Sequence, residues 1–220
     1  MKKTFIKTKN VKRFVALMEE LQKLPPNIPK IALVYGNYGL GKSETIKWWT
    51  FKNDCIYVRA TQGMSRRWLL SEIAEELGED AFWHSKENFE LIENSLLKNQ
   101  KVIIIDEVDY LIDKNTIETL RDLHDRTGCP LVLVGMAVID KKLLKYPHLV
   151  DRIYKKFKFE TYDKDDIKLI FNELTEYEIT EEKKSIIASV VNAGAATDSV
   201  TTQIKDRDGN ILAEYSDSLT

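Results

Sequence analysis

Two periods alternate along the chain. Val11, Phe14, Val15, Met18 and Leu21 recur at the spacing of one buried helical face, and Pro25-Pro26 stops the pattern. Ile31 to Tyr35 is instead a continuous apolar run ending at Gly36, the mark of a strand covered on both faces. The alternation then repeats. A helix is predicted from about Lys42 through Trp49, a strand over Cys55–Arg59, and a helix from Arg67 to Leu77 closed by Gly78. Glu87–Leu97 reads as helix, Val102–Ile105 as the strongest strand, and Thr116–Thr127 as a helix ending near Gly128. Leu131–Val134 is a fourth strand, residues 137–145 a helix, and Lys156–Phe159 a fifth strand. Strands separated by helices of this length imply a parallel sheet covered on both faces. The expected fold is α/β, a three-layer core with a central five-stranded parallel sheet, over residues 1–160 with the N-terminal helix included.

After Thr161 the texture changes. Asp163–Thr175 and Thr180–Val191 are amphipathic and predict a partial helical lid over residues 161–192. Residues 193–220 form a polar tail in which Val200–Ile204 and Ile211–Tyr215 flank Asp208-Gly209-Asn210, a β-hairpin pattern.

Composition narrows the function classes. The chain has 220 residues, 43% hydrophobic and 31% charged, with a net charge of -2. That balance does not advertise nucleic-acid binding for the whole molecule, although a local basic stripe suffices for phosphate contact. Cys55 and Cys129 lie outside any CxxC pattern, and His84, His124 and His148 lack ligand-like spacing, so reduced thiols are favoured over a disulfide or zinc. The N-terminus is basic without the apolar core of a signal peptide, and no stretch approaches a membrane span. A cytoplasmic protein with no membrane partner is expected.

The strongest chemical signal is Gly36-Asn37-Tyr38-Gly39-Leu40-Gly41-Lys42-Ser43, which fits G-x-x-x-x-G-K-[ST] and sits between a strand and a helix. Its glycines let backbone N–H groups turn inward around a phosphate, and the helix starting near Lys42 adds the positive end of its dipole. Gly36 through Glu44 are therefore the candidate ATP-binding residues, with Lys42 on the β- and γ-phosphates and the Ser43 hydroxyl on Mg2+. About sixty residues on, Val102-Ile103-Ile104-Ile105-Asp106-Glu107 delivers two carboxylates to the C-terminal end of a strand, where α/β ligands bind. If that strand lies beside the first, Asp106 joins Ser43 as a magnesium ligand and Glu107 activates a water. Taken alone, two acids after a strand would be a cap; paired with the loop they indicate Mg2+-dependent ATP hydrolysis.

Loop, Asp-Glu strand and helical lid together resemble the AAA+ superfamily of P-loop NTPases. Within it the chain is similar to the MuB/TnsC group of ATP-dependent, DNA-binding proteins that choose targets for transposases. The residues carrying this likeness are Asn10-Val11-Lys12-Arg13-Phe14, Leu33-Val34-Tyr35-Gly36, Tyr57-Val58-Arg59-Ala60 and Leu131-Val132-Leu133-Val134-Gly135. The resemblance implies a homo-oligomer on double-stranded DNA, a transposase partner, and an arginine finger at Arg152 that reaches a neighbouring subunit's γ-phosphate. A surface pair between Arg152 and Asp151 is the plainer alternative. It also implies a polar sensor after the fourth strand, where this chain has Gly135-Met136, and a second-sensor arginine in a third lid helix, which the sequence lacks.

In the same group the segment after the second strand faces DNA, here Thr61-Gln62-Gly63-Met64-Ser65-Arg66-Arg67-Trp68. Ser65, Arg66 and Arg67 are candidate phosphate contacts; the alternative is a helix start capped by Ser65 over a buried Trp68. Nothing here reads base edges, so the expected DNA binding is non-specific. The competing function is a regulatory ATPase switch that acts on a protein partner without DNA. A small-molecule kinase fits poorly, because the Asp106-Glu107 pair points to water as nucleophile.

Overall fold

The computed structural model describes residues 5–112 and 116–174, together with strands at 199–205 and 211–218. The described backbone divides into two compact units. The larger takes Arg13–Gly36 and Gly41–Phe159; the smaller takes described parts of residues 1–12, Asn37–Leu40 and the chain from Glu160.

The larger unit is built on a parallel sheet in the order β2-β3-β4-β1-β5. Its strands are β1 (Ile31–Gly36), β2 (Cys55–Arg59), β3 (Val102–Asp106), β4 (Leu131–Met136) and β5 (Ile153–Lys158). Ile31–Val34, Val102–Ile105 and Leu131–Val134 are buried throughout, which is why these runs take the three central places. β5 is an edge strand whose exposed Lys155 and Lys156 discourage further pairing. β1 pairs with β4 in register from Ile31↔Leu131 to Gly36↔Met136, and β3 pairs with β2 and β4. β3 is therefore not the neighbour of β1; β4 lies between them. This corrects the expected adjacency. Because β1, β3 and β4 are equally apolar and buried, their residue types do not dictate which pair.

Helices flank the sheet. α1 (Lys9–Lys23) buries Phe14, Met18 and Leu21, and Phe14 meets Trp49 of α2 (Lys42–Lys52) edge-on at 6.3 Å between ring centroids. α3 (Arg66–Glu76) and α4 (Ser85–Lys98) put Leu69, Ile73 and Ile92 into the same core cluster as Ile103, Ile105 and Leu133. α5 (Asp109–Ile112) is a short helix that the hydrophobic pattern did not signal, and α6 (Ile117–Thr127) closes at Gly128 in the left-handed region, φ 65°.

Residues 137–145 are not one helix. α7 (Ile139–Lys142) passes into a 3₁₀ turn at Leu143–Lys145, and α8 (Pro147–Val150) follows. Pro147 is the cause: it forces Tyr146 out of the helical region, to φ -121° and ψ 69°, and then starts the next helix.

The smaller unit contains the start of α1, α9 (Lys164–Leu174) and an antiparallel pair, β6 (Ser199–Lys205) with β7 (Ile211–Ser218). Asp163 caps α9, its Oδ1 accepting from the N–H groups of Asp165 and Asp166 at 3.0 and 2.9 Å. Asn10 and Glu160 bond reciprocally, Nδ2 to carbonyl at 2.7 Å and N–H to Oδ1 at 3.1 Å. The expected hairpin turn at Asp208-Gly209-Asn210 and the helix expected at Thr180–Val191 lie outside the described residues. Among the described residues, no helix is long and apolar enough to cross a membrane.

Candidate functional site

β1 carries the chain to Gly36 at the C-terminal edge of the sheet, and the next residues turn back into α2. Gly39 and Gly41 stand at φ 72° and 75°, the left-handed region that glycine adopts without a steric penalty. Gly41 is the N-cap of α2; its carbonyl accepts from the Thr45 N–H at 2.9 Å and from Thr45 Oγ1 at 2.7 Å. Lys42, Ser43 and Glu44 form the first helical turn, where the helix end is positive. The Lys42 ammonium donates to the Gly36 carbonyl at 2.8 Å, so the lysine reaches back along its own loop. Burial lowers its pKa, while the carboxylates of Asp106 and Asp109 act in the opposite direction. The ion therefore sits in a partly desolvated place facing negative charge. Asn37, Tyr38 and Gly39 are exposed, and Leu40 is buried.

Asp106 is the last residue of β3 and only 2% exposed. Its Oδ2 accepts from the Tyr57 hydroxyl at 3.2 Å and its Oδ1 from the Glu107 N–H at 2.9 Å. Burial first, and then the Asp106 charge, push the Tyr57 phenol upward, so Tyr57 stays a donor. Glu107 has φ 54°, an uncommon conformation for a residue with a side chain. Flanking bonds hold it there: Asp106 takes its N–H, and the next residue, Val108, donates to the Val134 carbonyl at 2.9 Å.

The Glu107 carboxylate has a partner that sequence reasoning left without a role. Arg59, at the end of β2 and opposite Asp106 in the ladder, donates to Glu107 Oε1 from Nε at 3.1 Å and Nη2 at 2.5 Å. The signal lay in Tyr57-Val58-Arg59 and Ile104-Ile105-Asp106 ending level with one another, which requires the strand pairing to be known. Asp109 likewise shows its role only in the fold. It sits at the start of α5 and its Oδ2 accepts the Met136 N–H at 2.8 Å.

The remaining candidates stand elsewhere in the larger unit. Arg152 donates from Nε to Asp125 Oδ1 and from Nη1 to the His148 carbonyl, each at 2.6 Å. Its ion-pair partner in this chain is thus Asp125 on α6; the alternative to an arginine finger names the adjacent Asp151. Ser65 caps α3, accepting the Trp68 N–H at 3.2 Å. Trp68 is not buried as that reading supposed: it is 44% exposed and donates from Nε1 to Glu72 at 2.8 Å. Arg66 opens the helix, and the Arg67 guanidinium lies over the exposed Trp83 ring, 3.6 Å from its centroid.

A parallel sheet with a glycine phosphate loop after β1 and a buried aspartate at the end of β3 defines a P-loop ATPase of the AAA type. A family described as AAA domain matches residues 28–143, more than half the chain, and this chain belongs to that family. A "potential ATP-binding protein" of Staphylococcus aureus is 25% identical over 201 residues, covering 74% of this chain and 69% of the relative. The fold is similar to the Aeropyrum pernix ORC2 protein solved as ADPNP-ADP complexes (TM-score 0.64, 16% identity, 87% of this chain and 59% of that one). It is similar as well to Aeropyrum pernix ORC1 in complex with DNA (TM-score 0.61, 16% identity, 87% and 56%). Cdc6p from Pyrobaculum aerophilum gives TM-score 0.61 at 19% identity, over 86% of this chain and 57% of that one. This chain therefore spans less than two thirds of the length of these solved proteins.

Proposed function

We propose that this AAA-type ATPase hydrolyses Mg2+-ATP to drive assembly on double-stranded DNA, and that it directs or activates a transposase. The observation that carries the ATP half is the buried Lys42 ammonium, hooked to Gly36 at 2.8 Å and facing the negative charge of Asp106. In this reading the loop from Gly36 to Glu44 cradles the phosphates, and Lys42 leaves the Gly36 carbonyl for them. Ser43 and Asp106 would hold a magnesium ion, which would supply neutralisation of the phosphate charge there. Glu107 orients and deprotonates the attacking water. Arg59, already bonded to Glu107, restrains that base until assembly draws the guanidinium away. Arg152 would exchange Asp125 for a neighbouring subunit's γ-phosphate, which makes hydrolysis depend on oligomerisation.

Support for DNA is local rather than global, since the net charge is -2. Arg66 and Arg67 open α3 beside the Ser65 cap. DNA contact there is by phosphates, without base readout. The second reading, a nucleotide switch that grips a protein, draws on Arg67 being stacked against Trp83, which is 72% exposed.

Filter binding of duplex DNA with and without ATP separates the two. ATP-dependent retention is expected, and replacing Arg66 and Arg67 by alanine should reduce the log–log salt slope by about 1 to 2. Absence of retention under both conditions removes the DNA reading and leaves the protein-partner switch.

A further inference from the structure

The end of β4 is occupied by Met136, whose thioether cannot donate a hydrogen bond to a phosphate or a water. Its backbone N–H, however, is taken by the Asp109 carboxylate. This approach depends on a missing side chain. A Cβ at Gly135 would stand 2.7 Å from Asp109 Oδ2 and 3.1 Å from Ile139 Cβ, so position 135 must be glycine for Asp109 to sit where it does. The second oxygen, Oδ1, is buried and accepts no hydrogen bond among the described residues; it faces the Lys142 ammonium of α7 at 3.6 Å. A buried acceptor without a hydrogen bond is costly to retain, and the loose Lys142 contact is too long to satisfy it. Lys142 itself is 43% exposed against 13% for Asp109, so the lysine is free to swing while the acid is not. Asp109 also bears electrostatically on Lys42. Met136 lies opposite Gly36 in the β1–β4 ladder, so the carboxylate bonded to the Met136 N–H stands beside the strand end that opens the phosphate loop, with the Lys142 ammonium 3.6 Å from its other oxygen.

We propose that, within the ATP site argued above, Asp109 and Lys142 together replace the polar sensor missing from the end of β4. Asp109 is a positioning residue. It locks the β4 terminus through the Met136 N–H and holds the Lys142 ammonium at the mouth of the site. Lys142 responds to the additional negative charge that distinguishes ATP from ADP, leaving its long ion pair for the third phosphate. A cation on a flexible stem suits this exchange, because it trades one anionic partner for another without rebuilding the strand.

The test is calorimetric titration of Mg2+-ATP, a slowly hydrolysed ATP analogue and Mg2+-ADP into the parental chain and five variants. Lys142→Met should weaken the triphosphates about tenfold, the scale of one charge-assisted bond, while ADP affinity stays within about twofold. Lys142→Arg should restore the preference. Asp109→Asn keeps an acceptor for the Met136 N–H but not the charge, and should lower the ATP-to-ADP ratio without lowering the melting temperature appreciably. Combined with Lys142→Met it should add little further loss, as expected of coupled residues. An unchanged ratio in Lys142→Met, or losses that multiply in the double variant, would overturn the inference while leaving the ATP site intact. Parental binding that ignores Lys42→Ala would instead overturn the site reading, and this inference with it.

Discussion

At Glu107 the chain accepts φ 54° in a residue that gains nothing from it sterically. The conformation is held by the bonds on either side, from Asp106 Oδ1 and the Val134 carbonyl, and it brings the carboxylate onto Arg59. A base whose Oε1 already accepts two guanidinium N–H groups has fewer lone pairs for a water. Arg59→Ala should therefore raise basal ATP turnover severalfold. Glu107→Gln should retain ATP and lower turnover by about 100-fold or more, the usual worth of general base catalysis. Phosphate release under single-turnover conditions measures both. Parental turnover by Glu107→Gln would remove Glu107 from the role of base. Glu107 as a candidate base is legible in the sequence, but its backbone conformation and its partner are not: no glycine marks the left-handed position, and Arg59 meets Glu107 only once β2 and β3 are paired.

Elements were easier to read than their junctions. β2 occupies Cys55–Arg59 as expected, and β1 and β3 match to within a residue, because apolar runs bounded by loop residues announce buried strands. β5 was found three residues short at its start, since Tyr154 and the lysines of an edge strand hide its pattern. One junction carries a titratable lock. His124 of α6 is buried, its Nδ1 lies 2.7 Å from the Cys129 carbonyl and its Nε2 accepts the Lys30 N–H at 3.4 Å, so the helix end is tied to the chain leading into both β4 and β1. Nε2 as acceptor requires the neutral ring with the proton on Nδ1. Burial lowers the His124 pKa below its ordinary 6.5. The unfolded chain then binds the proton first as pH falls, so this contribution to stability is whole above about 6.5 and declines below it. Urea midpoints at pH 7.5 and 5.5 should differ less in His124→Gln than in the parent; an equal difference in both would contradict this assignment.

For the molecule as a whole, the class of fold was readable because strand and helix signals alternate through residue 160, and alternation permits little besides a covered parallel sheet. The order of strands was not readable, and inserting β4 between β1 and β3 changes the route by which the acids reach the loop. The sheet still places both at its C-terminal edge, since every strand in it is parallel. The most direct check is calorimetric titration of Mg2+-ATP into the parental chain and into Lys42→Ala. Saturable binding by the parent and at least about a 100-fold loss in the variant are expected, the scale of removing a charged partner from a phosphate in a partly desolvated site. Equal affinity in both would mean that Lys42 holds no nucleotide phosphate.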